Sequence, residues 1–266
     1  MQVNSVSATN FCANFNSPKL KFNKDDFFIR LKGYGQSDKW AQEVSQIADD
    51  AVDMFRKNTD AETVLKFISK SARYANRNCE DLHKQKNTGI LRTDRAGWQS
   101  KEAEIFTPYN VEKYSTYSER LYNTYLKPLE DPYQRRIRLT KPSNFYIGKL
   151  FHGAPENINI AFDYVFNICK QIIPKYVKND IKPKDLETVN PQIAEMRWVL
   201  AHSTPWVRGS DGISNIFMRA IYKAVGVKTY PVKKGVSLDL EAYCTNLKDY
   251  KMLWNTYFEK APEIAE

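Results

Sequence analysis

The stretch Thr204-Pro-Trp-Val-Arg-Gly-Ser-Asp-Gly-Ile-Ser-Asn-Ile-Phe-Met218 lies between two segments with strong helical patterns. It places one proline, two glycines and two residues that favour helix N-caps in a short loop, directly before a helix must begin. The first amides of a helix have no intrahelical acceptor, and the helix dipole is positive at that end, so such a loop favours anion binding. The same residues are compatible with a tight helix–helix turn capped by Ser210 or Asp211, and the sequence leaves both interpretations open.

Apolar residues recur at helical spacing through most of the chain, which predicts a mainly α fold. Ser37 and Asp60 are placed to cap the first two helices, and Asn190 precedes a proline that would open another. Gly226 is placed as a C-cap after the helix that follows the loop, and Asp239 as the N-cap of the last helix. The predicted helices cover residues 37–57, 61–75, 111–126, 156–177, 191–203, 212–225 and 239–258.

The segment from Thr88 to Pro108 differs, because glycines interrupt it and residues 90–93 and 103–107 have extended-chain patterns. We predict a short β-hairpin, or flap, in this segment. Residues 129–153, which contain two prolines and a basic cluster, are predicted to be irregular. The expected architecture is a disordered polar tail over residues 1–21, followed by one helical-bundle domain with a small β-hairpin flap over residues 22–266.

The net charge of +9 indicates either a solvated basic surface or binding of a nucleic acid, an acidic partner or a phosphate-bearing ligand. No recognisable DNA- or RNA-binding motif accompanies it, so nucleic acid is not the expected partner. The apolar runs are far shorter than the roughly 20 residues of a membrane span. The N-terminus lacks a secretory signal pattern, which favours a cytoplasmic protein or an effector secreted without one. Four cysteines and three histidines are too scattered for a metal site built from local ligands, and none is expected.

Two segments, taken in order, resemble the Fic proteins. Their loop has the form His-Pro-Phe-x-Asp/Glu-Gly-Asn-Gly-Arg between two helices, and Pro205, Trp206 and Gly209 match it in register. Upstream, residues 89–93 and 104–108 are similar to the Fic flap, a hairpin that pairs with the backbone of the target protein. The chain therefore resembles the wider Fic, Doc and avirulence-protein-B fold group, as a divergent member with a degenerate motif.

The departures from the Fic loop change what the resemblance implies. In Fic enzymes the histidine accepts the proton of the target hydroxyl, the acid holds magnesium, and the amides and the arginine bind phosphate. Here Thr204 replaces the histidine and Arg208 the acid, while Ser210 replaces the asparagine and Gly212 the arginine. A threonine hydroxyl cannot serve as a base near neutral pH, so magnesium-dependent AMP transfer is not implied and magnesium is a doubtful cofactor. Backbone amides can still form an anion-binding nest, and a nucleotide or nucleotide-sugar is the donor to test.

Several residues are candidates for the site. The phosphate-binding candidates are Arg208, Gly209, Ser210, Asp211 and Gly212. His202 is a candidate base if the helix end changes register; otherwise it is a satisfied, half-buried histidine. Trp198 and Trp206 are interpreted as core residues rather than ligand platforms. The flap candidates for target docking, which would otherwise be hairpin surface, are Leu91, Arg92, Thr93 and Ile105.

Three functions remain open from the sequence. The first is a divergent Fic-like transferase that moves a group from a phosphate-containing donor onto a protein hydroxyl. The second is a non-catalytic Fic-like module that binds a protein through the flap, and the third is a basic helical domain that binds nucleic acid. The sequence does not establish whether the protein is an enzyme. A protein target is expected, and a phosphate-containing small molecule is a candidate ligand.

Overall fold

The computed structural model of the chain describes residues 22–30, 37–77, 87–93, 144–146, 149–151, 155, 158–177 and 181–265. This part is mainly helical, with two small antiparallel sheets, which confirms the predicted fold class. The predicted tail, the helix over 111–126 and the second half of the predicted flap lie outside the described residues. The helices are α1 Asp38–Arg56, α2 Ala61–Arg77, α3 Ile158–Tyr176, α4 Leu186–Ser203, α5 Ser210–Ala224, α6 Leu238–Cys244 and α7 Leu247–Leu253.

The strands are short and pair in two antiparallel sheets. Strand β1, Asn144–Tyr146, pairs with β2, Lys149–Phe151. Strand β3, Val227–Lys228, pairs with β4, Glu263–Ile264, and so joins the end of α5 to the C-terminal residues. The β1–β2 hairpin corrects the prediction that residues 129–153 are wholly irregular. Three-residue strands that pair only with each other are too short for the alternating pattern that sequence reasoning requires.

Helices α4 and α5 lie at the centre of the fold. Helix α5 packs against α1, α2 and α4, whereas α4 packs against α3, α6 and α7. Almost every residue of α5 is buried, including the polar residues Ser214, Asn215 and Arg219. The loop that joins α4 to α5 therefore lies where the two halves of the helical core meet.

Several predicted helix ends are confirmed. The Ser37 hydroxyl accepts a hydrogen bond from the Trp40 amide at 3.2 Å, and the Asp60 carboxylate accepts one from the Thr63 amide at 2.8 Å. Gly226 follows α5 with φ +83°, the left-handed conformation typical of a glycine C-cap. These ends were predictable because each depends on contacts within four residues.

The predicted start of α4 is wrong. The helix begins at Leu186, after a 3₁₀ turn over Pro183–Asp185, and it contains Pro191 within its length. Asn190 is not a cap, because its buried side chain accepts from the Tyr222 hydroxyl at 2.8 Å and donates to the Asn255 side chain at 3.1 Å. Residues distant in the sequence thus form the hydrogen bonds of the Asn190 side chain, which local sequence reasoning assigns to a helix cap.

The predicted last helix is also wrong in its start and in its continuity. Ser237 caps α6, and its hydroxyl accepts from the Leu240 amide at 3.5 Å. The chain becomes extended at Thr245, and Asn246 caps the separate helix α7. Asp239, the predicted cap, lies inside α6 and directs its carboxylate to Arg197. Within the part of the chain that the structure describes, no helix is long and apolar enough to cross a bilayer.

Candidate functional site

The loop between α4 and α5 reverses the chain through two residues in the left-handed conformation. Thr204 ends α4 with φ +40°, and Gly209 is the N-cap of α5 with φ +81°. The Ile213 amide donates to the Gly209 carbonyl at 2.9 Å, which is the first hydrogen bond of α5. The amides of residues 210–212 precede this bond and have no acceptor within the helix. The helix begins at Ser210, two residues before the predicted start, and neither Ser210 nor Asp211 is its cap.

The beginning of the predicted flap pairs with this loop. The Gly89 amide donates to the Arg208 carbonyl at 3.2 Å, the Val207 amide to the Ile90 carbonyl at 2.8 Å, and the Arg92 amide to the Pro205 carbonyl at 3.0 Å. The loop and residues 89–93, the described part of the flap, are therefore in direct contact. We call residues 87–93 the docking segment below.

Helix α2 holds the docking segment in place. The Arg73 guanidinium donates to the Thr88 carbonyl at 3.0 Å and to the Gly89 carbonyl at 2.9 Å. The Asn76 amide donates to the Thr88 hydroxyl at 2.7 Å, and the Trp40 indole donates to Asn76 at 2.7 Å. These bonds connect the docking segment to α1 and α2, so its position relative to the loop is fixed by the helical core.

The four flap candidates are in different environments. Leu91 is 47% exposed and Thr93 is exposed, whereas Arg92 is buried. The Arg92 guanidinium donates to the carbonyls of Thr204 at 2.5 Å and Ser203 at 2.9 Å, so it stabilises the C-terminal end of α4. Ile105 lies outside the described residues. Among the four candidates, Leu91 and Thr93 are thus the described ones whose side chains reach the surface.

The phosphate-binding candidates lie together at the start of α5. Arg208, Gly209, Asp211 and Gly212 are partly exposed, and Ser210 is buried with its hydroxyl donating to the Trp206 carbonyl at 3.3 Å. The hydroxyl of Thr204, the residue matched to the histidine in the resemblance to Fic proteins, donates to the Ala201 carbonyl at 2.9 Å. Backbone amides and the Arg208 side chain are therefore the groups of this loop that are suited to an anion, and phosphate binding here stays a prediction.

Both tryptophans next to the loop belong to the core. Trp198 is buried on α4, and its indole N–H donates to the Thr245 carbonyl at 3.0 Å. Trp206 is buried in the loop and packs against Phe162 of α3, with 5.8 Å between ring centroids. This agrees with their interpretation as packing residues.

His202 lies inside the last turn of α4 and is 4% exposed. Its ring stacks on that of Trp198, with 3.7 Å between centroids. Its Nδ1 lies 2.9 Å from the Trp198 carbonyl oxygen, which only accepts, so this nitrogen carries the proton. A role for His202 as a general base stays a prediction, and it would require the ring to leave this stack.

A buried ionic cluster under the loop was missed from the sequence. The Arg197 guanidinium is fully buried, and its Nη2 donates to Asp211 at 2.6 Å and to Asp239 at 2.9 Å. Burial and, secondarily, the neighbouring Asp211 raise the pKa of Asp239 to about 7. A lone arginine within the apolar run of residues 196–200 was the available sign, because such a charge needs a buried partner.

Among the described residues, no group of three or more His, Cys, Asp or Glu side chains is arranged to hold a metal ion. Cys169 is buried in α3, and its burial raises the pKa of the thiol well above the usual range.

A protein-family model of avirulence proteins, AvrB and AvrC, matches residues 95–261. This match covers more than half of the chain. The chain belongs to the AvrB/AvrC avirulence protein family. A comparison with curated proteins finds no match. As a member of this family, the protein is effector-like. The matched range contains the loop, Arg197 and Asp239, and it begins just after the docking segment.

Proposed function

We propose that this avirulence-family protein is a divergent Fic-like transferase. It moves a group from a phosphate-containing donor, a nucleotide or a nucleotide-sugar, onto a hydroxyl of a host protein. The observation that carries the proposal is the pairing of the docking segment with the loop that opens α5. This pairing brings an exposed strand-like edge next to helix amides suited to phosphate, as a two-substrate transfer requires.

The donor phosphate lies over the amides of residues 210–212 in this proposal. These amides and the side chain of Arg208 stabilise negative charge as it develops on the leaving phosphate oxygen. Asp211 would repel an anion if its carboxylate lay on its own helix amides. Its carboxylate is instead held by Arg197 at 2.6 Å and by the Ser237 hydroxyl at 3.2 Å.

The target binds along the docking segment. Ile90 and Leu91 are 38% and 47% exposed, which is unusual for large apolar side chains in a segment so firmly held. A target chain in extended conformation would cover them and present its hydroxyl to the loop. The hydroxyl oxygen forms the new bond, the bond from the transferred group to the phosphate oxygen breaks, and the hydroxyl proton leaves to solvent or to a base.

Thermal unfolding with a panel of nucleotides and nucleotide-sugars tests this function. At a concentration of about 100 Kd, we expect the right donor to raise Tm by about 5 °C. The shift should be smaller in Arg208→Ala. The matched control is Lys234→Ala, which removes the same charge from an exposed position. Failure of every donor to stabilise the protein, or an Arg208→Ala shift equal to that of the wild type, would overturn the proposal.

A non-catalytic binding module is the second candidate, and the exposure of Ile90 and Leu91 favours it. A binding module predicts that Leu91→Asp no longer captures a target protein and that Ser210→Ala captures it as the wild type does. It also predicts that capture does not depend on any donor. Gly209 is unsuitable for this comparison, because a Cβ there would lie 2.8 Å from the Thr88 methyl and disturb the docking segment. A transferase instead requires donor-dependent mass addition to the captured target.

A further inference from the structure

The Arg197 cluster joins three elements at the first turn of α5. Arg197 comes from α4, Asp211 from the first turn of α5, and Asp239 from the first turn of α6. A single nitrogen, Nη2, donates to both carboxylates. The Ser237 hydroxyl, at the start of α6, donates to the second oxygen of Asp211 at 3.2 Å. Both oxygens of Asp211 are thereby held on the side of α4 and α6.

The position of Asp211 is unusual for an acid in a first helical turn. Such a carboxylate ordinarily interacts with the free amides or the positive dipole of its own helix. No side-chain bond caps α5, because its N-cap is a glycine. The orientation of Asp211 toward Arg197 is therefore what leaves the amides of residues 210–212 to another anion.

The cluster is not an efficient stabilising device. Arg197 is fully buried, and its Nε and Nη1 have no hydrogen-bond partner among the described residues. Unused donors on a buried guanidinium cost free energy, and a buried ion pair adds little stability over apolar packing. A cluster of this kind is better explained by the geometry that it imposes than by the stability that it contributes.

We propose that Arg197 is a positioning residue for the loop between α4 and α5, which we call the donor loop. The Arg197 guanidinium holds Asp211 away from the amides of residues 210–212, and it ties the first turn of α5 to α6 through Asp239. This inference rests on the proposed function, because it assigns those amides to a donor phosphate. Arg197 does not touch the donor and acts through Asp211.

The sharing of one guanidinium by two carboxylates makes the cluster sensitive to pH. The charged and titratable groups that face Asp239 from packed elements are Arg197 of α4, Asp211 of α5 and Tyr250 of α7. Tyr250 stays neutral, because burial raises its pKa far above the usual range. Burial raises the pKa of Asp239 to about 7, so the three groups Arg197, Asp211 and Asp239 together are neutral below that pH and carry one negative charge above it. An anion on the loop is then bound more weakly as the pH rises.

Sulfate is the suitable probe, since its charge does not change across this pH range. We expect wild-type protein to bind sulfate about threefold more tightly at about pH 6 than at about pH 8, from one charge acting at close range. Asp239→Asn should bind sulfate equally well at both pH values, whereas the exposed control Asp163→Asn should show the same pH dependence as the wild type. Arg197→Lys, which keeps the charge but changes the geometry, should weaken binding at both pH values.

Amide hydrogen exchange gives a readout that needs no ligand. Arg197→Lys should accelerate exchange at residues 210–213, while exchange in α1 stays as in the wild type. If wild-type protein binds no sulfate at either pH, the donor loop itself is refuted, and the inference with it. A different result overturns only the positioning role of Arg197. In that case wild-type protein binds sulfate, Asp239→Asn shows the wild-type pH dependence of sulfate affinity, and the amides of residues 210–213 exchange in Arg197→Lys as they do in the wild type.

Discussion

At the scale of single residues, Gly209 has a strict steric requirement where the loop meets the docking segment. Its φ of +81° is a conformation that L-residues rarely adopt, and a Cβ there would lie 2.8 Å from the Thr88 methyl. Gly235 provides a natural comparison, because it has φ +86° but nothing within 4 Å of the added Cβ. The difference between the two positions isolates the close contact between loop and docking segment.

We therefore expect Gly209→Ala to lower the free energy of unfolding by about 2–3 kcal/mol, and Gly235→Ala by about 1 kcal/mol. Both substitutions introduce backbone strain at a positive φ, and Gly209→Ala must in addition displace the Thr88 side chain. Urea unfolding of the two variants beside the wild type measures the difference. Equal losses in the two variants would mean that the loop and the docking segment are not in contact.

Asp239 gives a second prediction at the residue scale. Because burial raises its folded-state pKa to about 7, the folded protein holds this proton more tightly than the unfolded chain, whose carboxyl titrates near 4. The stability that this adds is present below about pH 4 and is lost as the pH rises through about 7. Carboxylates with lowered pKa, such as Asp60 and Glu263, are ionised in both the folded and the unfolded state above about pH 5.5. Their contribution to the free energy of unfolding therefore no longer changes above that pH.

Between about pH 5.5 and pH 8 we expect wild-type stability to fall more steeply than that of Asp239→Asn. Urea unfolding at intervals across this window measures both slopes. Asp163→Asn, an exposed acid on α3, should follow the wild type. Parallel slopes for the wild type and Asp239→Asn would show that Asp239 is ionised throughout the window.

At the scale of elements, the docking segment depends on α2 for its position. Arg73 donates to two consecutive carbonyls, at Thr88 and Gly89. Loss of the guanidinium leaves those carbonyls without this donor, at a cost of about 1–3 kcal/mol. The consequence extends to the loop, because Gly89 also donates to Arg208.

Arg73→Ala should therefore accelerate amide exchange at Gly89 and Val207, two of the three amide donors that join the docking segment to the loop. Lys66→Ala is the matched control on the same helix, since Lys66 forms only an exposed pair with Glu62 and its loss should change stability by less than about 0.5 kcal/mol. Unchanged exchange at Val207 in Arg73→Ala would refute the dependence of the loop on α2.

The elements also show what the sequence can predict. The first two helices and their caps follow from contacts within four residues, and sequence reasoning located them correctly. Asn190 and Asp239 have equally good local patterns for caps, but their side chains instead form hydrogen bonds with residues distant in the sequence. Local reasoning cannot weigh such partners, which is why it also missed Arg197, whose two acids lie 14 and 42 residues away. The contact between loop and docking segment agrees with the resemblance to Fic proteins, not with any local pattern.

At the scale of the whole molecule, part of the positive charge is internal. Arg219 is fully buried beside Asp26, and burial lowers its pKa to about 10, so it remains charged at neutral pH. Lys223 is also buried, and it is paired with Asp49 at 2.5 Å. Each of these cations is paired with a carboxylate, so the two pairs leave the net charge of +9 unchanged and present no unpaired cation to a polyanion.

We accordingly expect no tight binding to mixed DNA or RNA at physiological ionic strength. Fluorescence anisotropy with labelled oligonucleotides at several salt concentrations tests this. The charge-reduced variant Lys234→Ala should behave as the wild type does. Submicromolar binding with a steep dependence on salt would instead support the nucleic-acid function.

The most direct test of the donor loop is an amide NMR titration of the full chain with adenosine and uridine diphosphates. At least one of them should shift the amides of Gly209, Ser210, Asp211 and Gly212 more than any others, and the effect should weaken in Arg208→Ala. A folded protein whose loop amides stay unchanged with both ligands, or whose largest shifts lie away from the α4–α5 loop, would contradict the assignment of this loop to a donor phosphate.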